Sequence, residues 1–352
     1  MSAKNRTLVP EDALTQMQWY LGEETIEDYQ DGIISRRAML KRLIVICGGS
    51  AAAATVLAAC GVPPTAAPTP AAQPTGAPTA AEPTAEPSPL PATSAPTTPI
   101  AEATAAPTDA ASKPALRVAA DDPAVVATDV TYPTSEGEVM AYLARPSAEG
   151  VYPGVIVIHE NRGLTDHIKD VARRLAKAGY VALAPDLVSR MGGTASMAPD
   201  QIAGALGSAS PEDLVKDLNA GVDFLLAQAG VKPDKVGVVG FCFGGAYTLR
   251  LAAANPKVAA AVPYYGVTPE PVSQLANTNA AILGQYGEND ARVNNTIPAL
   301  EETLRNAGKI FEKHIYVGAG HAFNNDTGAR YNEAAAVLAW QRTLDWFAKY
   351  LR

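Results

Sequence analysis

Cys242, Asp290 and His321 have the residue types, in the order, that nucleophilic acyl transfer requires. Cys242 lies in Lys235-Val-Gly-Val-Val-Gly-Phe-Cys-Phe-Gly-Gly245, a β-branched run broken by glycine. The helical pattern Ala246-Tyr-Thr-Leu-Arg-Leu-Ala-Ala follows. Strand, tight turn and helix are therefore expected, with Gly-x-Cys-x-Gly at the corner. Glycines belong there because a nucleophile on a strained turn leaves no room for side chains between the strand and helix. A thiol has an unperturbed pKa of about 8.5, so little of it is thiolate at neutral pH and it needs a base beside it. The competing reading is a buried cysteine acting as a small hydrophobe.

The base must come from elsewhere in the chain. Ala280-Ala-Ile-Leu-Gly-Gln-Tyr-Gly287 reads as a buried strand, and Glu288-Asn-Asp290 follows its carboxyl end. Phe311-Glu-Lys-His-Ile-Tyr-Val-Gly318 reads as another, followed by Ala319-Gly-His-Ala-Phe323. Open α/β sheets place their ligands just past such strand ends. Asp290 alone could be a turn former, and Glu288 is an equally charged neighbour. Of the 4 histidines, His167 opens a helix, His314 lies within a strand pattern, and His159 precedes the nucleophile. Nucleophile, acid, histidine is the chain order of α/β-hydrolases, whose elbow usually carries serine. A further strand, Gly154-Val-Ile-Val-Ile-His-Glu160, ends in a carboxylate and runs into Asn161-Arg-Gly163. In this fold the loop after that strand supplies the second N–H of the oxyanion hole. Read alone, Glu160 is a solvated loop acid and Arg162 a surface ion-pair partner.

Five segments together resemble the dienelactone hydrolase family: His159-Glu-Asn-Arg-Gly-Leu164, Gly179-Tyr-Val-Ala-Leu-Ala-Pro-Asp186, Gly240-Phe-Cys-Phe-Gly-Gly245, Tyr264-Tyr-Gly266 and Gly318-Ala-Gly-His-Ala-Phe323. The resemblance spans roughly residues 120–352 and implies a Cys242–His321–Asp290 triad. It implies that Glu160 holds the resting thiol and helps to deprotonate it once substrate arrives. It places the oxyanion hole at the backbone N–H groups of Asn161 and Phe243. Arg162, Tyr264 and Asn325 become substrate-binding candidates. The expected activity is hydrolysis of small esters or lactones through an acyl-enzyme. A general carboxylesterase or thioesterase is the alternative within enzymes, and a non-catalytic ligand-binding lipoprotein the alternative outside them. Namesake enzymes hold a substrate carboxylate with arginines, one of them four residues beyond the histidine. Here that position is Asn325, with Asp326 beside it, and Met197–Ala209 contains no Arg or Lys. A carboxylate-bearing lactone is therefore not the expected preferred substrate.

These residues need a scaffold. From residue 150 onward strand and helix patterns alternate, which predicts an α/β-hydrolase fold: a mainly parallel sheet with helices on both faces. Ile168, Val171 and Leu175 form one helical stripe, stopped by Gly179. Ser210-Pro-Glu-Asp213 has the composition of a helix start, with Leu214, Leu218, Val222 and Leu225 facing the sheet. Val337, Trp340, Leu344, Phe347 and Leu351 predict a closing helix. Val126–Tyr132 and Val139–Arg145 read as an antiparallel edge. A net charge of −8 argues against nucleic-acid binding, no Cys/His spacing suggests a metal, and no Gly-rich phosphate loop or other cofactor motif is present.

Upstream, three regions differ in kind. Residues 1–60 read as an export signal: Ser35-Arg-Arg-Ala-Met-Leu-Lys41 fits the twin-arginine pattern, and an apolar stretch runs from Leu43 to Ala59. Leu57-Ala-Ala-Cys60-Gly61 resembles a lipobox with Cys60 as the lipidated residue; an uncleaved anchor helix is the alternative. The twin-arginine translocation machinery and a membrane surface are the implied partners, and the outer face of the cell membrane the implied location. Residues 1–34 are an acidic lead containing Trp19 and Tyr20, with no function assignable from sequence. Residues 61–116 hold half of the chain's 28 prolines and no aromatic residue, a composition that forms no core and suits a tether. Residues 117–352 are the hydrolase-like domain. Cys47 and Cys60 belong to the signal, so Cys242 is that domain's only thiol.

Overall fold

The computed structural model describes residues 14–62 and 116–352. Most of the expected tether lies outside them. Three helices come first: α1 (Gln16–Gln30), α2 (Arg36–Cys47) and α3 (Ser50–Ala59). The remainder alternates: β1 (Val125–Thr134), β2 (Gly137–Pro146), β3 (Tyr152–Ile158), α4 (Asp166–Lys177), β4 (Val181–Pro185), α5 (Pro199–Ser208), α6 (Pro211–Leu226) and β5 (Val231–Phe241). Then come α7 (Phe243–Ala254), β6 (Val258–Tyr264), β7 (Ala281–Gly287), the short α8 (Ala291–Asn294), α9 (Ile297–Asn306), β8 (Phe311–Tyr316) and α10 (Glu333–Leu351).

The strands form one sheet in the order β1-β2-β4-β3-β5-β6-β7-β8. β1 and β2 are antiparallel, β2 meets β4 antiparallel, and the pairings from β4 to β8 are parallel. The central strands β3 to β7 are almost wholly buried, as expected of strands covered on both faces. The stripes of α4 and α6 face inward, with Ile168, Val171, Leu175, Leu214, Leu218, Val222 and Leu225 buried. Ser210 caps α6 by accepting from the Asp213 N–H. On α10 the buried stripe is Trp340, Phe347 and Leu351, while Val337 is exposed.

The first helices pack against this domain. Thr15 and Gln18 start α1 with a reciprocal capping box. Met39, Leu43 and Ile46 of α2 are fully buried, and Val45 sits directly over Gly204 of α5. Gly48, at a left-handed φ of 73°, breaks the apolar stretch, so α2 and α3 meet at 114°. Among the described residues no single helix is long and apolar enough to cross a membrane.

Candidate active site

Cys242 stands at the corner between β5 and α7 with φ 56° and ψ −116°, a backbone that L-residues avoid. The crowding that forces this is visible at Gly244. A Cβ there would lie 2.3 Å from the Ile158 carbonyl oxygen and 2.6 Å from that of His159, both backbone atoms that cannot yield. Phe243 opens α7, so its N–H belongs to the first helical turn and has no intrahelical acceptor. Asn161 lies in the turn after β3.

Asp290 and His321 come from the loops after β7 and β8. His321 Nδ1 is 2.7 Å from Asp290 Oδ2, and both side chains are buried. Asp290 Oδ1 also accepts from the Val293 N–H and so caps α8. Burial alone would push the His321 imidazolium down, but the Asp290 carboxylate outweighs it and leaves the pKa raised. Burial likewise works against the Asp290 carboxylate, yet its ion pair with His321 holds its pKa below the ordinary value. His321 Nε2 is buried and makes no hydrogen bond within the protein, and it points toward Cys242.

The remaining histidines are committed elsewhere. His159 accepts from the Leu187 N–H through Nε2 and meets the Glu160 carbonyl through Nδ1. His167 pairs with Asp326, which Arg174 also holds, and His314 pairs with Glu312. Asp326 is therefore tied into a buried ion pair rather than presented to a ligand.

Glu160 is placed differently from expectation. Its carboxylate accepts from the Tyr265 hydroxyl at 3.3 Å and from Asn325 Nδ2 at 2.6 Å. The carboxylate at the Cys242 thiol is instead Glu24, from α1, with its oxygens 3.3 and 3.4 Å from Sγ. Burial pushes the Cys242 thiol well above its ordinary pKa, and the Glu24 and Glu160 charges add to that. Tyr20, also from α1, donates its hydroxyl to Sγ at 3.5 Å. Glu24 Oε1 is also 3.8 Å from His321 Nε2. The sulfur, the imidazole nitrogen and the Glu24 oxygen lie within 4.8 Å of one another.

Of the substrate-binding candidates, Asn325 reaches the site by holding Glu160. Arg162 is half-exposed, 3.9 Å from Asp28. Tyr264 points away: its hydroxyl bonds Thr343 on α10, because consecutive residues at a strand end face opposite sides of the sheet. Its neighbour Tyr265, at a left-handed φ of 37°, turns into the site and lies edge-on to His321. Arg292 and Arg330 were not singled out by sequence, since nothing local separates them from surface arginines. Arg292 stands over the Tyr20 ring at 4.3 Å and pairs with Glu27 at 3.1 Å. Arg330 pairs with Asp28 at 2.9 Å and Asp31 at 2.6 Å. A cavity of ≈ 410 Å³ opens between Glu27, Asp31 and Arg330 and the Asp290–His321 side of the site.

The family described as the dienelactone hydrolase family matches residues 139–351. The chain belongs to that family. A Methylorubrum extorquens protein named "Putative carboxymethylenebutenolidase" is 37% identical over 245 residues, 66% of this chain and 84% of the relative. A Salmonella typhimurium protein of the same name is 36% identical over 65% of this chain and 89% of its own length. Among solved structures, a dienelactone hydrolase-like promiscuous phosphotriesterase from metagenomic libraries is 28% identical, with a TM-score of 0.57. That match covers 65% of this chain and 100% of the other. The protein is a carboxylic ester hydrolase of the α/β-hydrolase fold acting on esters or lactones.

Proposed function

We propose that this hydrolase works through Cys242 as nucleophile, His321 as proton carrier and Asp290 as the residue that orients the imidazole. The observation that carries the reading is the convergence, at a strained elbow, of a thiol and an imidazole nitrogen whose other nitrogen is fixed by a buried carboxylate. The thiolate, its proton taken by His321 Nε2, attacks the ester carbonyl; the N–H groups of Asn161 and Phe243 receive the oxyanion. Collapse breaks the C–O bond, His321 returns the proton to the leaving alkoxide, and a thioester remains on Cys242. Water, deprotonated by His321, then releases the acid and restores the thiol.

The preferred substrates are small neutral esters or lactones. Asn325 stands where a cation would clamp a carboxylate, and it is committed to Glu160. The chain is also exported and lipid-anchored at Cys60, a reading that rests on the twin arginines at 36 and 37 and the small residues before Cys60. Turnover of p-nitrophenyl esters by parent and Cys242→Ala tests the catalytic reading. Loss of about 10³-fold or more is expected, and unchanged kcat in the folded variant contradicts it.

A further inference from the structure

Helix α1 carries its charge at the wrong end for a free helix. Glu27 and Asp28 lie in its last turn, with Asp31 as the C-cap, where the helix dipole disfavours negative charge. Its buried face is equally unusual, with Glu24 and Asp28 nearly fully buried beside Tyr20 and Leu21. Every one of these acids meets a group of the hydrolase domain. Glu27 meets Arg292, Asp28 and Asp31 meet Arg330, and Glu24 meets the Cys242 thiol and His321. The other end is fastened too: Gln16 donates to the Thr268 carbonyl and accepts from the Glu270 N–H. The Glu24 carboxylate lies against both the sulfur and the imidazole nitrogen, so an ester carbonyl cannot reach Sγ while α1 is seated.

We propose that α1 is a tethered ligand of the substrate cleft, with Glu24 and Tyr20 occupying the space of the reacting ester and Arg292 and Arg330 as its anchors, so that the chain is latent while its leader is attached. This rests on the catalytic reading of Cys242 given above. Turnover by the intact chain then reports the small fraction in which α1 is unseated. Cleavage before Cys60, the processing step proposed with export, would remove residues 1–59 and with them every one of these contacts. The leader would thereby confine esterase activity to the protein that has been processed.

The test uses the full-length chain and changes only leader residues. Asp28→Lys/Asp31→Lys reverses both partners of Arg330, and Tyr20→Ala/Glu24→Ala empties the space at the sulfur while keeping the ion pairs of Glu27 with Arg292 and of Asp28 and Asp31 with Arg330. For each, the alkylation rate of Cys242 by iodoacetamide is followed by peptide mass spectrometry, so that Cys47 and Cys60 do not interfere, beside p-nitrophenyl acetate turnover. Both rates should rise roughly ten- to a hundredfold, the scale of losing one or two charge-assisted hydrogen bonds. Adding Arg330→Asp to Asp28→Lys/Asp31→Lys should restore latency. Faster alkylation without turnover would support the tethered ligand while refuting the cysteine hydrolase. Cys242 alkylation at the parent rate in both leader variants would overturn the proposal.

Discussion

Replacing Asp290 with Asn tests how the site sets the state of His321. The change removes the carboxylate charge yet keeps a side-chain oxygen able to cap α8 through the Val293 N–H, so the loop should stay folded. What is lost is a charge-assisted hydrogen bond at 2.7 Å between two buried groups. Such a bond is worth about 1.5–3 kcal/mol in the ground state. It is worth more in the transition state, where the imidazole carries the thiol's proton, and Asn can also hold the wrong tautomer. The expected loss in kcat is about 10³–10⁴-fold, roughly 4–5.5 kcal/mol of transition-state stabilisation. Without Asp290, burial dominates and the His321 pKa falls, so the acid limb of kcat/KM against pH moves to lower pH. Stability follows the same signs. The depressed Asp290 pKa contributes stability above its unfolded value and loses it as pH falls through the folded one. The raised His321 pKa contributes stability below its unfolded value and loses it as pH rises through the folded one. The variant's deficit should therefore be largest between about pH 4 and 6.5 and narrow on either side. Turnover within tenfold of the parent, with an unshifted acid limb, would refute the reasoning.

Glu160→Gln removes one of the negative charges that raise the Cys242 thiol, so its alkylation profile should shift toward lower pH while ester turnover falls; coincident profiles would reduce Glu160 to a packing residue. Gly244→Ala places a methyl 2.3 Å from the Ile158 carbonyl oxygen. It should cost about 3 kcal/mol and lower the Tm by about 6–12 °C, whereas an unchanged melting curve would mean that the elbow has slack. In cells, Arg36→Lys/Arg37→Lys should hold the protein in the cytoplasm and Cys60→Ala should leave it without lipid, as seen by fractionation and mass analysis. Export of the Lys pair at the parent level would contradict the twin-arginine reading.

Much of the scaffold was legible because periodicity reports burial directly. The stripes of α4 and α6, the antiparallel edge and the parallel strands all reappear in the structure. The elbow was legible because glycines there answer a steric demand that extends over few residues. Side-chain direction at irregular positions was not. Tyr264 and Tyr265 are neighbours of one type, and only the left-handed φ of Tyr265 decides which enters the site. Glu24 was hidden for another reason: it lies 218 residues from Cys242, and no local pattern relates them. Helix α5 was missed because Pro199–Ser208 is rich in Gly and Ala, with a weak stripe.

The central claim is that the acyl group passes through Cys242. Full-length protein and its Tyr20→Ala/Glu24→Ala variant, each mixed with a p-nitrophenyl ester, quenched in acid within the first turnovers and digested, would show where the acyl group rests. The account predicts an acyl mass increment on the peptide bearing Cys242, absent from Cys242→Ala, whose turnover is also lost. An acyl group on any other residue, or parent-level turnover by Cys242→Ala, would contradict it.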